Sequence, residues 1–235
     1  MKIGIFTDSH FSSAEITCGK RHNSASLDKI AEAYRYFEAD PECVLVICLG
    51  DLIDREGDHQ KEIQNLTAVA EIIRESRLHT VCVMGNHDAF TFTRNEFFEI
   101  VGSMCRTPLN IKCSNGTTLL FLNTCYYASG ESYAPGEGDW KDTFFPRMQE
   151  LEACLNDAEG DVYVFMHQNI DPIVPENHRL SNDAEVREML ERSGKVKTVF
   201  QGHYHKGSEC ELNGIKYITY PAMCEGEGRR YIIEI

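Results

Sequence analysis

Five short strings each place a metal-binding side chain directly after an apolar run: Asp8-Ser9-His10, Gly50-Asp51-Leu52-Ile53-Asp54, Gly85-Asn86-His87-Asp88, Phe165-Met166-His167 and Gly202-His203-Tyr204-His205. An apolar run that ends on such a residue is the pattern of a buried strand with chemistry in the loop beyond it. Open α/β sheets bind ligands outside the carboxyl ends of their strands, so these loops can converge without being close in sequence. Together the strings offer Asp8, His10, Asp51, Asn86, His167, His203 and His205. Carboxylate oxygen, amide oxygen and imidazole nitrogen in that mixture suit Mn, Fe, Zn or Co better than Ca or Mg. A single Asp or His is more often a surface or hydrogen-bonded residue, but five strings in this order are not accounted for that way.

Between the strings the apolar periodicity alternates. Residues 2–7, Val44 to Leu49 and Thr80 to Met84 read as strands. Leu27, Ile30, Ala31, Tyr34 and Phe37 have helical spacing behind Ser26, a predicted N-cap, and Ile63, Leu66, Val69, Ala70 and Ile73 give a second helix. This order predicts a parallel sheet with right-handed crossovers. Further on, a hairpin is expected around Ser114-Asn115-Gly116, then a long loop over 126–146. Helices follow around Leu151 and Met189, with strands at 162–166 and 198–201. Asn213-Gly214 predicts a second hairpin and Tyr231–Ile235 a last strand. With no repeat or low-complexity linker, residues 1–235 are expected to form one domain.

Composition narrows the function classes. The net charge of −14 lacks the basic face of a nucleic-acid binder, and its field disfavours a polyanion. The ten cysteines lie singly without a CxxC pair, which argues against a zinc–thiolate site and for small buried hydrophobes. No apolar stretch approaches the ~18 residues of a membrane span, and no signal peptide is read at Met1–Phe6. A soluble, cytoplasmic protein is expected, with no membrane partner.

The blocks DxH, GDxxD, GNH(D/E), a lone His and GHxH, present in order over residues 8–205, resemble the calcineurin-like metallophosphoesterase superfamily. The resemblance implies an α/β fold, a four-layer α/β/β/α sandwich with two mixed β-sheets flanked by helices. It also implies two divalent or trivalent metal ions, with Mn, Fe or Zn as candidates. Asp8, His10 and His205 would hold one ion, Asn86, His167 and His203 the other, and Asp51 would bridge. His87 would be the acid or transition-state stabiliser, oriented by Asp54. Asp88 stands where many members carry Glu, and the fourth block reads Met166-His167-Gln168; neither departure removes a ligand. Two such ions clamp the attacking and leaving oxygens of an in-line displacement and acidify a bridging water or hydroxide.

The implied activity is hydrolysis of a small soluble phosphodiester or phosphomonoester. A nuclease of the same superfamily is the near alternative, without a visible basic groove. A non-catalytic scaffold on the same fold is the distant one, set against a complete ligand set. For substrate binding, Arg21 and His22 could meet a phosphate, and Tyr127 and Trp140, with Tyr126 and Tyr133, could form a stacking wall. His178 and Arg179, beyond Pro175, could edge the same cleft.

Overall fold

The computed structural model describes residues 1–102, 109–133, 135 and 144–235. The first half runs β1 (Lys2–Phe6), α1 (Ser26–Ala39), β2 (Cys43–Cys48), α2 (His59–Glu75), β3 (His79–Cys82), α3 (Asn86–Thr91) and α4 (Arg94–Val101). The second half runs β4 (Leu109–Lys112), β5 (Thr118–Leu122), α5 (Met148–Asp157), β6 (Val162–Met166), α6 (Asp183–Ser193) and β7 (Val196–Gln201). It closes with β8 (Ser208–Leu212), β9 (Ile215–Thr219) and β10 (Tyr231–Glu234).

Apolar alternation sorts these strands into layers. On β5 and β6, Leu119, Phe121 and Phe165 join the apolar cluster of the first sheet. Their strand neighbours Leu120, Leu122, Val164 and Met166 pack instead with Leu151 and Leu155 of α5 and Val186 and Leu190 of α6. Successive strand residues face opposite sides, so two apolar faces require cover on both. The result is a four-stranded sheet ordered β10-β1-β2-β3 against a six-stranded sheet ordered β4-β5-β6-β7-β9-β8, with helices outside each. β1–β2–β3 and β5–β6–β7–β9 are parallel, and antiparallel β10, β4 and β8 form edges, so both sheets are mixed.

An aromatic ladder runs between the sheets. Phe121 stacks on Phe165 at 5.3 Å, Phe165 on Phe200 at 4.9 Å, and Phe200 on Tyr220 at 6.2 Å between ring centroids. Tyr220 then meets Tyr231 of β10 at 4.5 Å, which carries the ladder into the other sheet. Burying each such ring contributes about 1.5–3 kcal/mol.

Both hairpins form as expected; Asn213 and Gly214 take φ of 52° and 80°, the left-handed pair that a two-residue turn requires. Ser26 is not the N-cap. It is the first residue of α1, and its hydroxyl donates to His22 O at 3.3 Å, while Ala25 precedes the helix without a side-chain cap. Asp58 does cap α2, accepting from Gln60 N and Lys61 N. α3 and α4, of 6 and 8 residues, had no periodicity long enough to read.

Candidate metal centre and cleft

Several candidate ligands sit on strained backbone. Among the described residues six non-glycine positions have positive φ, and four are Asp8, His10, Asp51 and His203. Such conformations cost about 1–3 kcal/mol each and persist only where surroundings hold them. Here hydrogen bonds between loops do so: Asp8 N donates to Gly50 O at 3.0 Å, His10 N to Asp51 O at 2.9 Å, and Cys224 N to Asp8 O at 3.1 Å. Close approach explains Gly85, since a Cβ there would lie 2.8 Å from Asp51 Cγ. At Gly50 a Cβ would lie 2.7 Å from both Gly85 N and His167 Nδ1.

The donors fall into two sets that share one oxygen. In the first, His10 Nε2 lies 3.1 Å from His205 Nε2, 3.7 Å from Asp8 Oδ1 and 3.5 Å from Asp51 Oδ2, and His205 Nε2 lies 3.4 Å from Asp8 Oδ1. In the second, His167 Nε2 lies 3.2 Å from the same Asp51 Oδ2 and 3.1 Å from Asn86 Oδ1. One ligand atom each of Asp51, His167 and His203 lies within 4.8 Å of the others. Donors each ~2.1 Å from one cation lie roughly 3.0–3.4 Å apart at tetrahedral to octahedral angles. These spacings fit a cation in each set. Asp8 Oδ1 is buried without a hydrogen-bond partner, which fits too.

The other atoms of these groups are spoken for. Asp8 Oδ2 accepts from Thr7 Oγ1 at 2.6 Å and His203 N at 3.0 Å; Asp51 Oδ1 accepts from His87 N at 2.8 Å. His167 Nδ1 donates to Leu49 O at 2.7 Å. Asp88, which the sequence marked as a departure, splints two loops: its carboxylate accepts from Leu52 N at 3.0 Å, Ile53 N at 3.3 Å and Gly85 N at 3.0 Å.

Electrostatics divides the groups. Burial opposes ionisation of Asp8, yet His10, His205 and His167 around it hold it well below the usual carboxylate range. Burial likewise opposes Asp51, and His167 and His87 overcome it downward. Burial is outweighed at His167 by the Asp51 charge, which lifts the imidazole to about 9. At His10, burial and the neighbouring His87 push it down to about 4, and burial with the His167 charge holds His203 well below the imidazole norm. Burial and the Asp51 charge raise the Asp88 carboxyl to about 7. In cation-free form this is a mutually compensating cluster; neutral His10 and His203 beside ionised Asp8 and Asp51 are the protonation states that cation binding requires.

Beside the donors, His87 Nδ1 lies 2.6 Å from Asp54 Oδ1. Asp54 Oδ2 also receives Asn23 Nδ2 at 3.2 Å and faces Arg21 at 3.6 Å. A cleft of about 420 Å³ opens over the centre, lined by Asp51, Asn86, His87, His203 and His205, with Lys20, Arg21 and Lys206 supplying positive charge. His178 lines it and packs edge-on against His203 at 5.3 Å, while Arg179 lines an adjoining cavity of about 660 Å³.

Two substrate expectations meet a different structure, and a third falls outside the described residues. His22 is exposed and does not line the cleft. Tyr127 packs on Tyr133 at 5.5 Å, the Arg147 guanidinium lies over the Tyr126 ring at 4.4 Å, and Tyr126 and Tyr133 are buried, so these rings pack within the protein rather than line the cleft. Trp140 lies outside the described residues; of the described residues in 126–146, Phe144 lines the cleft. Sequence reasoning passed over Lys20, Phe144, Lys206 and Glu225, which lie in loop or turn segments with no periodicity to mark them.

Several known proteins are similar to this chain in sequence or in fold. A probable cyclic nucleotide phosphodiesterase of Rhodopseudomonas palustris is 24% identical over 92% of this chain and 76% of its own length. Another from Pseudoalteromonas sp. is 25% identical over 65% of this chain, an alignment spanning 54% of that relative's length. A dimetal phosphatase from Danio rerio superposes with a TM-score of 0.79, covering 95% of this chain and 88% of that one at 17% identity, a likeness of fold. The family model for calcineurin-like phosphoesterases matches residues 1–207, and the chain belongs to that family.

Proposed function

We propose that residues 1–235 act as one domain that hydrolyses a small phosphate ester with two metal ions, a phosphodiester being the preferred class. The observation that carries this is the shared Asp51 Oδ2, 3.5 Å from His10 Nε2 and 3.2 Å from His167 Nε2. Asp8, His10 and His205 would hold one ion, Asn86, His167 and His203 the other, with Asp51 between them. When bound, the ions would supply Lewis-acid charge to a phosphoryl group and lower the pKa of water. Manganese, iron and zinc all suit the donor set.

The chain's own groups do the rest. Arg21 and Lys206 attract the ester into the cleft against the molecule's net negative field. With Nδ1 held by Asp54, the His87 ring keeps a fixed orientation, and Nε2 carries the proton passed to the leaving oxygen. The likeness to two probable cyclic nucleotide phosphodiesterases makes cyclic nucleotides the first diesters to try.

The test is a substrate panel on protein reconstituted with Mn²⁺: bis-p-nitrophenyl phosphate, p-nitrophenyl phosphate, cyclic nucleotides, glycerophosphodiesters and duplex DNA. Turnover of small diesters is expected, and duplex DNA should be a poor substrate. Protein that holds two Mn²⁺ per chain and cleaves none of these esters would refute the proposal.

A further inference from the structure

The family model stops at residue 207, yet a short 3-10 turn at Met223–Glu225 sits against the centre. Its backbone is laced there: Met223 N donates to Thr7 O at 3.0 Å, Cys224 N to Asp8 O at 3.1 Å, and Ala222 N to His205 O at 3.1 Å. This places the Glu225 carboxylate on the far edge of the His205 ring, where Oε1 accepts from His205 Nδ1. The other oxygen, Oε2, is pinned by Lys20 Nζ at 2.9 Å.

A carboxylate on Nδ1 fixes the tautomer. The proton stays on Nδ1, and the lone pair of Nε2 points at Asp8 Oδ1, 3.4 Å away, and His10 Nε2, 3.1 Å away. The opposite donor set differs, because His167 Nδ1 meets only the neutral carbonyl of Leu49. We infer that Glu225 is a positioning residue for His205, and that it strengthens one metal position selectively over the other. A charged acceptor makes the imidazole a better donor than a carbonyl does, and such partners are typically worth about 10–100-fold in metal affinity. Lys20 lines the cleft, so the chain Lys20–Glu225–His205 ties that position to the cleft wall. This rests on the two-metal proposal above.

The test is metal retention, read apart from activity. Metal-loaded wild type, Glu225→Ala, Glu225→Gln and the control Glu227→Gln, at an exposed acid nearby, are dialysed against graded chelator and counted by elemental analysis. Glu225→Ala is expected to lose one ion about 10–100-fold more readily, keeping the second at wild-type affinity. Glu225→Gln, which preserves shape, should lose it about tenfold more readily and also decides the matter if the alanine variant does not fold. The control should match wild type. A second readout is the His205 Nδ1–H proton resonance of the cation-free protein, expected to be lost in Glu225→Ala. Equal retention of both ions in both Glu225 variants overturns the inference. Wild type holding fewer than two ions would instead sink the two-metal reading.

Discussion

At the rim of the four-stranded sheet the candidate donors are Asp8, His10, Asp51 and Asn86, three of them oxygen donors; at the rim of the six-stranded sheet they are His167, His203 and His205, all nitrogen. The two rims also differ in backbone. Positive φ occurs at Asp8, His10 and Asp51 on one side but only at His203 on the other. Aspartate tolerates this region better than most residues, and its short side chain leaves the carboxylate close to the strand end. Histidine is longer, and His167 and His205 reach across from ordinary backbone, whereas His203 does not. One sheet thus contributes mostly oxygen at short range and the other imidazole nitrogen, and neither set is complete alone.

If that division is right, Asp51 belongs to both halves, and Asp51→Asn should show the largest effect. Both ions should be weakened by more than about 100-fold, beyond the range of an outer partner, with nearly all hydrolysis gone. His203→Ala should release one ion only. Elemental analysis of the two variants side by side checks this; loss of a single ion from Asp51→Asn would remove the shared-oxygen argument.

Next in size is His87→Ala, which removes an imidazole packed against His10 at 4.4 Å but outside both proposed donor sets. Both ions should stay, while kcat falls about 10²–10⁴-fold. Steady-state rates on a series of aryl and alkyl esters sharpen the point, because good leaving groups need less protonation and should lose less. A variant that releases metal would place His87 among the ligands.

The slab between the halves can be probed through Phe165→Ala, which removes the second ring of the aromatic ladder. A loss of about 3–5 kcal/mol is expected, measured by urea unfolding of the metal-free protein. The smallest effect belongs to Arg21→Ala. Because Arg21 also faces Asp54, KM for a small diester should rise only about tenfold, in line with one charge-assisted contact, with both ions retained. A change confined to kcat would instead mean that Arg21 works through Asp54 and His87.

Much of this was legible in the sequence for a physical reason. Residues that must sit at strand ends are preceded by apolar runs, so Asp8, Asp51, Asn86, His167 and His203 announce themselves, and the layer order follows from the helices between them. What was not legible depends on contacts without local pattern. Glu225 stands 20 residues beyond His205, in a glycine-bearing stretch that no periodicity marks. Helices α3 and α4 are too short to show a face. Tyr126, Tyr127 and Tyr133 had the composition of a binding wall, but packing rings inside the protein competes with exposing them, and here Tyr127 packs on Tyr133 and Tyr126 under Arg147. Asp88 was visible only as a variation in a motif; its work as a three-amide splint is a property of the folded loops.

The ladder from Phe121 to Tyr231 has a mechanical consequence. Sliding one sheet past the other by a single residue is a shear of ~3.3 Å. The donor atoms that meet across the centre are 3.1–3.4 Å apart, so such a slip would equal the whole spacing and dismantle both sets. Within the ladder it is the Tyr220–Tyr231 contact that crosses from one sheet to the other, so there the rings resist such a slip as well as fill space.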